Sequence, residues 1–104
     1  MIINGITWSI KPVPISSPLL HRADGSATIG MTDGRTHCLY IAEGLRGGLL
    51  DKVLAHELTH AFMFSYNIHI DIETEEFIAD WVSKYGRELI YILDDIMQAA
   101  KKTG

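Results

Sequence analysis

The apolar positions in the first half of the chain alternate with polar ones, as in strands. Such alternation over residues 6–13, which Pro12 and Pro14 break, predicts one strand. The ranges 26–32 and 36–42 are typical of two further strands joined across Asp33-Gly34, a common hairpin turn. This half of the chain therefore predicts a small antiparallel sheet of about three strands.

In the second half the apolar spacing becomes helical. From Leu49 to Ser65 apolar residues fall almost all round a helical wheel, which predicts a central, buried helix. The acidic residues Glu73, Glu75 and Glu76 favour the start of a second helix, which we expect to end or bend at Gly86. Residues 87–101 then predict an amphipathic C-terminal helix. The predicted fold class is α+β, with the small antiparallel sheet packed on three helices, in one domain over residues 1–104.

Composition and charge narrow the class of protein. The chain is 47% hydrophobic and 21% charged, which is typical of a globular domain. The net charge of -4 and the scattered Lys and Arg residues argue against nucleic acid or an anionic membrane as partner. The N-terminus shows no signal peptide, and the single Cys38 excludes an internal disulfide. We therefore expect a cytoplasmic protein in which Cys38 is a small buried hydrophobe.

The stretch LAHELTH places three ionisable side chains inside the predicted buried helix. Because residues four apart share a helix face, His56 and His60 can donate two nitrogens to one metal ion. Glu57 is rotated by about 100° from His56, which puts it beside the open coordination position, where it can accept a proton from water. This is the H-E-x-x-H signature of zinc hydrolases, and it predicts Zn²⁺ as cofactor.

A catalytic zinc site needs a third protein ligand, and the glutamate helix offers it. Glu76 and Asp80 lie one turn apart, so Glu76 can supply a zinc oxygen while Asp80 accepts the free N–H of a ligating histidine. Glu73 and Glu75 stay open as alternative ligands if the helical register differs. His69 does not fit the longer signature with a third histidine, because Met63 and Tyr66 stand where that signature needs glycine and histidine.

Taken together, these two motifs resemble a known group of zinc peptidases. His56-Glu57-x-x-His60 with Glu76-x-x-x-Asp80 resembles the gluzincin pattern, in the compact form of minigluzincins and small prophage-encoded HExxH proteins. Glu76-x-x-Ala79-Asp80-x-Val82 is also similar to the second motif of ImmA/IrrE-like peptidases. The resemblance covers about residues 36–86.

The resemblance implies a zincin-like fold and a role for each motif residue. By it, His56, His60 and Glu76 are the zinc ligands, Glu57 is the general base and acid, and Asp80 is the partner of a ligating histidine. The chain is too short for the substrate-binding subdomain of larger gluzincins. No oxyanion donor is evident, and the nearest candidates are Tyr66 and His69; His21 and His37 are expected to be surface or core residues.

The expected function is zinc-dependent hydrolysis of peptide bonds in unfolded or extended protein segments. The strand over 36–42, if it forms the sheet edge above the cleft, could align such a substrate by main-chain pairing. The alternative is an inactive or latent regulatory module in which zinc mainly supports the fold. A helical scaffold with accidental His and Glu spacing is a third reading. Glu57 favours the enzyme, because a structural zinc site gains little from it. Pairing through the sheet edge or the helices could also give a homodimer.

Overall fold

A computed structural model describes residues 1–103 of the protein. Across these residues the chain forms five strands, one 3₁₀ turn and two α-helices. The strands are β1 (Ile2–Ile3), β2 (Ile6–Thr7), β3 (Ser9–Val13), β4 (Gly30–Asp33) and β5 (Cys38–Ala42). The 3₁₀ turn spans Pro18–Leu20, and the helices are α1 (Gly47–Ser65) and α2 (Ile72–Thr103).

The α+β class is confirmed, but the larger sheet is mixed, so the prediction of an antiparallel sheet is wrong. Its strand order is β3-β5-β4. β4 and β5 form the predicted hairpin around Asp33-Gly34, with Asp33 opposite Cys38, whereas β3 runs parallel to β5, with Ser9 opposite Cys38. The hairpin occupies one edge of β5. The segment 14–29 connects β3 to β4 across the sheet before β5 is added between them. β3 therefore pairs with the other edge of β5 and runs parallel to it.

The first seven residues form a separate hairpin that the hydrophobic pattern did not predict. β1 and β2 pair antiparallel across Asn4 and Gly5. The φ angles of these two residues, 49° and 78°, are both positive, as a type I′ turn requires. The chain then changes partner at Trp8, whose backbone N–H donates to the carbonyl of Met1 at 2.8 Å. The predicted strand over 6–13 is therefore two strands in two sheets.

The mixed sheet carries a core on each face. All five residues of β5 are buried, because it is the central strand. On one face Leu39 packs with Trp8 and with Ala61 of α1. On the other face Cys38 packs with Leu20 of the 3₁₀ turn, and the thiol is buried as predicted. The sheet thus lies between α1 and the 3₁₀ turn.

Helix α1 is buried along one face, and not all round as its apolar residues predicted. Its buried residues are Val53, Glu57, His60, Ala61 and Ser65. Phe62 and Phe64 are about half exposed. Among the described residues the strands and α2 cover two sides of α1, and the third side faces solvent. The indole of Trp8 donates to the Ser65 hydroxyl at 2.8 Å, which fixes the end of the helix to the N-terminal hairpin.

The predicted glutamate helix and C-terminal helix are one continuous helix, α2, so the prediction of three helices is wrong. Gly86 does not end it, because a glycine inside a helix costs only about 1 kcal/mol and good helix formers flank it. Arg87 also pairs with Asp51 of α1, which holds this turn against its neighbour. Within residues 1–103, neither helix has an apolar stretch that could cross a membrane.

The start of α2 is capped by Asp71, and the cap makes the stability of the protein depend on pH. The Asp71 carboxylate accepts the Thr74 hydroxyl at 2.7 Å and the Thr74 backbone N–H at 2.9 Å. These bonds, the hydroxyl bond first, hold the pKa of Asp71 below its ordinary value of 3.8. Because the folded pKa is the lower one, the stabilisation is present above the unfolded value and is lost as the pH falls through the folded value.

We expect Asp71→Ala to lower the melting temperature by a few degrees at pH 7. The difference from the unmodified chain should shrink as the pH falls below the ordinary Asp pKa of 3.8, where the unfolded chain takes up a proton at Asp71 before the folded chain does. Thermal unfolding followed by circular dichroism measures both effects. Asp94→Ala, which changes an exposed carboxylate inside α2, is the control and should cause no such loss. An equal difference at pH 7 and pH 3 would exclude the cap.

Candidate metal centre

Helix α1 brings the two histidines of the motif together. The rings of His56 and His60 lie 5.0 Å apart between centroids, and their Nε2 atoms are 3.2 Å apart. Both imidazoles project from the side of α1 that faces α2, since they contact carboxylates of that helix. Spacing four along one helix therefore does what the motif predicts: it points two nitrogens at one spot.

Helix α2 supplies the carboxylate of Glu76 at the same spot. Its Oε2 is 3.1 Å from His56 Nε2, and its Oε1 is 3.0 Å from His60 Nε2. Tetrahedral zinc with bonds of about 2.0–2.1 Å separates its ligand atoms by about 3.3 Å, so the three side chains fit one ion. In residues 1–103 no other group of three or more His, Cys, Asp or Glu side chains is placed to hold a metal.

The far nitrogens of both histidines contact carboxylates of α2. His56 Nδ1 is 3.0 Å from Asp80 Oδ1, and His60 Nδ1 is 2.5 Å from Glu75 Oε2. An Nδ1–H that donates to a carboxylate leaves the lone pair on Nε2, the nitrogen that faces Glu76. Each imidazole thus lies between two acidic groups, and an Nδ1–H that donates to the rear carboxylate gives the tautomer that a metal ligand needs.

The two alternative ligands that the sequence left open, Glu75 and Glu73, do not lie between the imidazoles. Glu75, which the sequence left open as a ligand, lies behind His60 and not between the two imidazoles. Glu73 is exposed in the first turn of α2 and is not part of the three-residue group. The position of Glu75 had a signal in the sequence: a second ligating histidine needs its own acceptor, and the residue beside the ligand on α2 is near enough to supply one.

Glu57 lies against β4, beside the three possible ligands. It is 8% exposed, and its Oε1 accepts the Thr32 hydroxyl at 2.9 Å. Gly30 allows this approach: a Cβ there would lie 2.7 Å from a Val53 methyl group and 3.1 Å from Glu57 Cγ. Sequence reasoning missed Thr32 and Gly30, because no local pattern indicates which strand residues face the helix.

The cluster opens onto two adjoining cavities of about 280 and 400 Å³. Both are lined by His56, Glu57 and Glu76, and also by Arg22 and Gly30. Arg22 places a cation beside both cavities and Lys52 places one beside the larger cavity, and the sequence had marked neither. Both cavities therefore reach His56 and Glu76 of the cluster together with the Glu57 carboxylate.

The other side chains singled out in the sequence lie elsewhere. Neither cavity is lined by Tyr66 or His69, and Tyr66 stacks on Phe62 with centroids 6.0 Å apart. His37 packs against Trp8 at 5.3 Å between ring centroids. The placement of Tyr66 and His69 therefore does not support either as an oxyanion donor.

Comparisons with protein-family models, with curated proteins and with solved structures found no match for this chain. The case for a metal centre is therefore the geometry of His56, His60 and Glu76 in this chain.

Proposed function

We propose that this chain is a zinc-dependent peptidase that cleaves extended segments of other proteins. The observation that carries the proposal is a cluster beside a buried carboxylate at a cavity. In it the Nε2 atoms of His56 and His60 are 3.2 Å apart, and each lies 3.0–3.1 Å from one oxygen of Glu76. Two imidazoles and one carboxylate are a donor set that suits zinc. Zinc in this position would polarise a peptide carbonyl and acidify a water molecule.

The chain's own residues supply the proton transfers. Glu57 lines both cavities and is not one of the three possible ligands, so its carboxylate is free to accept a proton from the attacking water. It then gives that proton to the nitrogen of the leaving amine, the general-base and general-acid roles of one group. Asp80 and Glu75 hold the imidazoles while this happens.

Strand β4 is the part of the sheet suited to align a substrate. It lies at the edge of the mixed sheet, and Gly30, Met31 and Thr32 line the cavity that contains His60 and Glu57. An extended peptide can pair with an edge strand through main-chain hydrogen bonds. The strand suggested from sequence, over 36–42, cannot do this because β5 is central and paired on both sides.

The proposal is tested by digestion of an unfolded protein. The purified chain should contain one zinc ion and cleave casein; 1,10-phenanthroline should stop cleavage, and added zinc should restore it. Zinc bound at that ratio without any chelator-sensitive cleavage would contradict the peptidase and favour a zinc-stabilised module.

Thr32→Val should reduce turnover by about tenfold, because it removes the hydroxyl that orients Glu57 and keeps the side-chain shape. Casein cleavage rates at saturating substrate measure the effect, and zinc content should not change. Thr59→Val is the matched control, since the Thr59 hydroxyl donates to the Ala55 carbonyl within α1. Equal turnover in the two variants would remove Thr32 from the positioning of Glu57.

A further inference from the structure

The C-terminal part of α2 carries a long apolar face whose large side chains are about half exposed. Its apolar positions repeat at spacings of four and three, the pattern of a coiled-coil seam. The seam consists of Tyr85, Leu89, Ile92, Ile96 and Ala99, with Leu93 beside it. The four large seam side chains and Leu93 are 46–59% exposed. A shallow groove runs along Trp81, Tyr85, Leu89 and Ile92.

This face lies partly beyond the body of the protein. The ion pair of Arg87 with Asp51, near the start of α1, marks where the two helices last contact through charged side chains. The molecule is accordingly elongated, with extents of 55 × 30 × 26 Å. A second helix can therefore approach residues 89–102 without meeting the sheet or α1.

We propose that this seam pairs antiparallel with the same seam of a second copy of this chain. With Ile92 opposite Ile96 of the second copy, Leu89 lies opposite Ala99, and the apolar layers are continuous. The two globular bodies then lie at opposite ends of the paired helices. This pairing does not depend on the proposed peptidase activity.

Charge selects this arrangement over the parallel one. In the antiparallel register Glu88 lies beside Lys102 of the second copy, twice by symmetry. In a parallel pair the residues beside the seam that would face each other are Glu88 with Leu93 and Asp95 with Ala100, so no charge is matched. The antiparallel register has one cost, because Asp95 faces its own copy at the symmetry axis.

The area fits a dimer of modest affinity. The exposed parts of the four large seam side chains and Leu93 amount to roughly 500 Å² in each copy, within the range of the largest apolar patch on a monomer. Two copies would bury about 1,000 Å², the lower limit for a specific interface. A dissociation constant in the micromolar range is expected.

Sedimentation equilibrium of the full chain, from about 1 µM to about 1 mM, tests the pairing. The expected result is a monomer–dimer equilibrium within this range, abolished by Ile96→Asp. Tyr91→Glu, an equally drastic change at an exposed position off the seam, should leave the equilibrium unchanged. Both variants keep the monomer fold because both side chains are exposed, and circular dichroism checks this.

Charge variants test the register itself. Glu88→Lys should weaken the dimer about tenfold, the added change Lys102→Glu should restore it, and Asp95→Asn should tighten it severalfold. A dimer that is indifferent to all three changes would overturn the antiparallel pairing. A monomer at every concentration would overturn the proposal, and binding of that monomer to phosphatidylglycerol vesicles would assign the face to lipid.

Discussion

Glu57→Gln should leave zinc bound at one ion per chain and lower the rate of casein cleavage by about a thousandfold. The amide keeps the size of the carboxylate and can still accept the Thr32 hydroxyl, but it cannot take up a proton. Glu57 is not among the three side chains that face one spot, so the affinity for zinc should hold. Zinc content by mass spectrometry and cleavage rate, measured on the same preparation, separate the two effects.

The control for this variant is Glu43→Gln, which makes the same chemical change at an exposed position next to β5. Its cleavage rate should equal that of the unmodified chain. Full activity in Glu57→Gln would remove Glu57 from the chemistry. Loss of zinc in that variant would show instead that Glu57 is a ligand, contrary to the geometry.

Glu76→Gln should weaken zinc binding by more than about 100-fold, the upper range for losing a group that only supports a ligand. The amide offers a poorer donor than the carboxylate that lies 3.0–3.1 Å from both Nε2 atoms. Saturating zinc should raise the melting temperature of the unmodified chain, because ligand binding stabilises the folded state. The variant should lose most of that increase, which gives a readout independent of activity.

The neighbouring glutamates make this test specific. Glu75→Gln removes a partner of His60 Nδ1 and should cost about 10–100-fold in zinc affinity, whereas Glu73→Gln, at an exposed position, should cost nothing. Zinc affinity should therefore be highest in Glu73→Gln, lower in Glu75→Gln and lowest in Glu76→Gln. A larger loss for Glu75→Gln than for Glu76→Gln would exchange the roles of these two residues.

Local patterns predicted helix α1 and the β4–β5 hairpin, because the histidine spacing and the turn signal both depend on residues close together in the sequence. The spacing of His56 and His60 needs only a helix, and the Asp33-Gly34 turn needs only its two flanking strands. The side chains that meet across α1 and α2 followed from the assumption that the two helices pack. The choice of Glu76 was open from the register alone, and the distances to both Nε2 atoms favour it.

Long-range features could not be predicted in this way. The parallel pairing of β3 with β5 depends on how the segment 14–29 crosses the sheet, which no spacing encodes. The contact of Thr32 with Glu57 spans 25 residues of sequence and follows from the order of the strands. The Asn4-Gly5 hairpin was different, because its turn signal is local and could have been found.

Gly86 shows how a local preference is overruled. A lone glycine weakens a helix by about 1 kcal/mol, and packing of α2 on α1, with the pair Arg87–Asp51, favours continuation. One consequence is the length of α2, which leaves the large apolar side chains of its C-terminal part about half exposed. The apolar side chains of α2 are thus exposed because the helix continues through Gly86.

The most direct test of the metal centre is a crystal structure of the zinc-soaked protein with anomalous diffraction recorded at the zinc edge. The expected result is a zinc ion bound by Nε2 of His56, Nε2 of His60 and a carboxylate oxygen of Glu76, with Glu57 beside it and unbound. The absence of zinc from this cluster, whether or not an ion is bound elsewhere, would contradict the proposed centre.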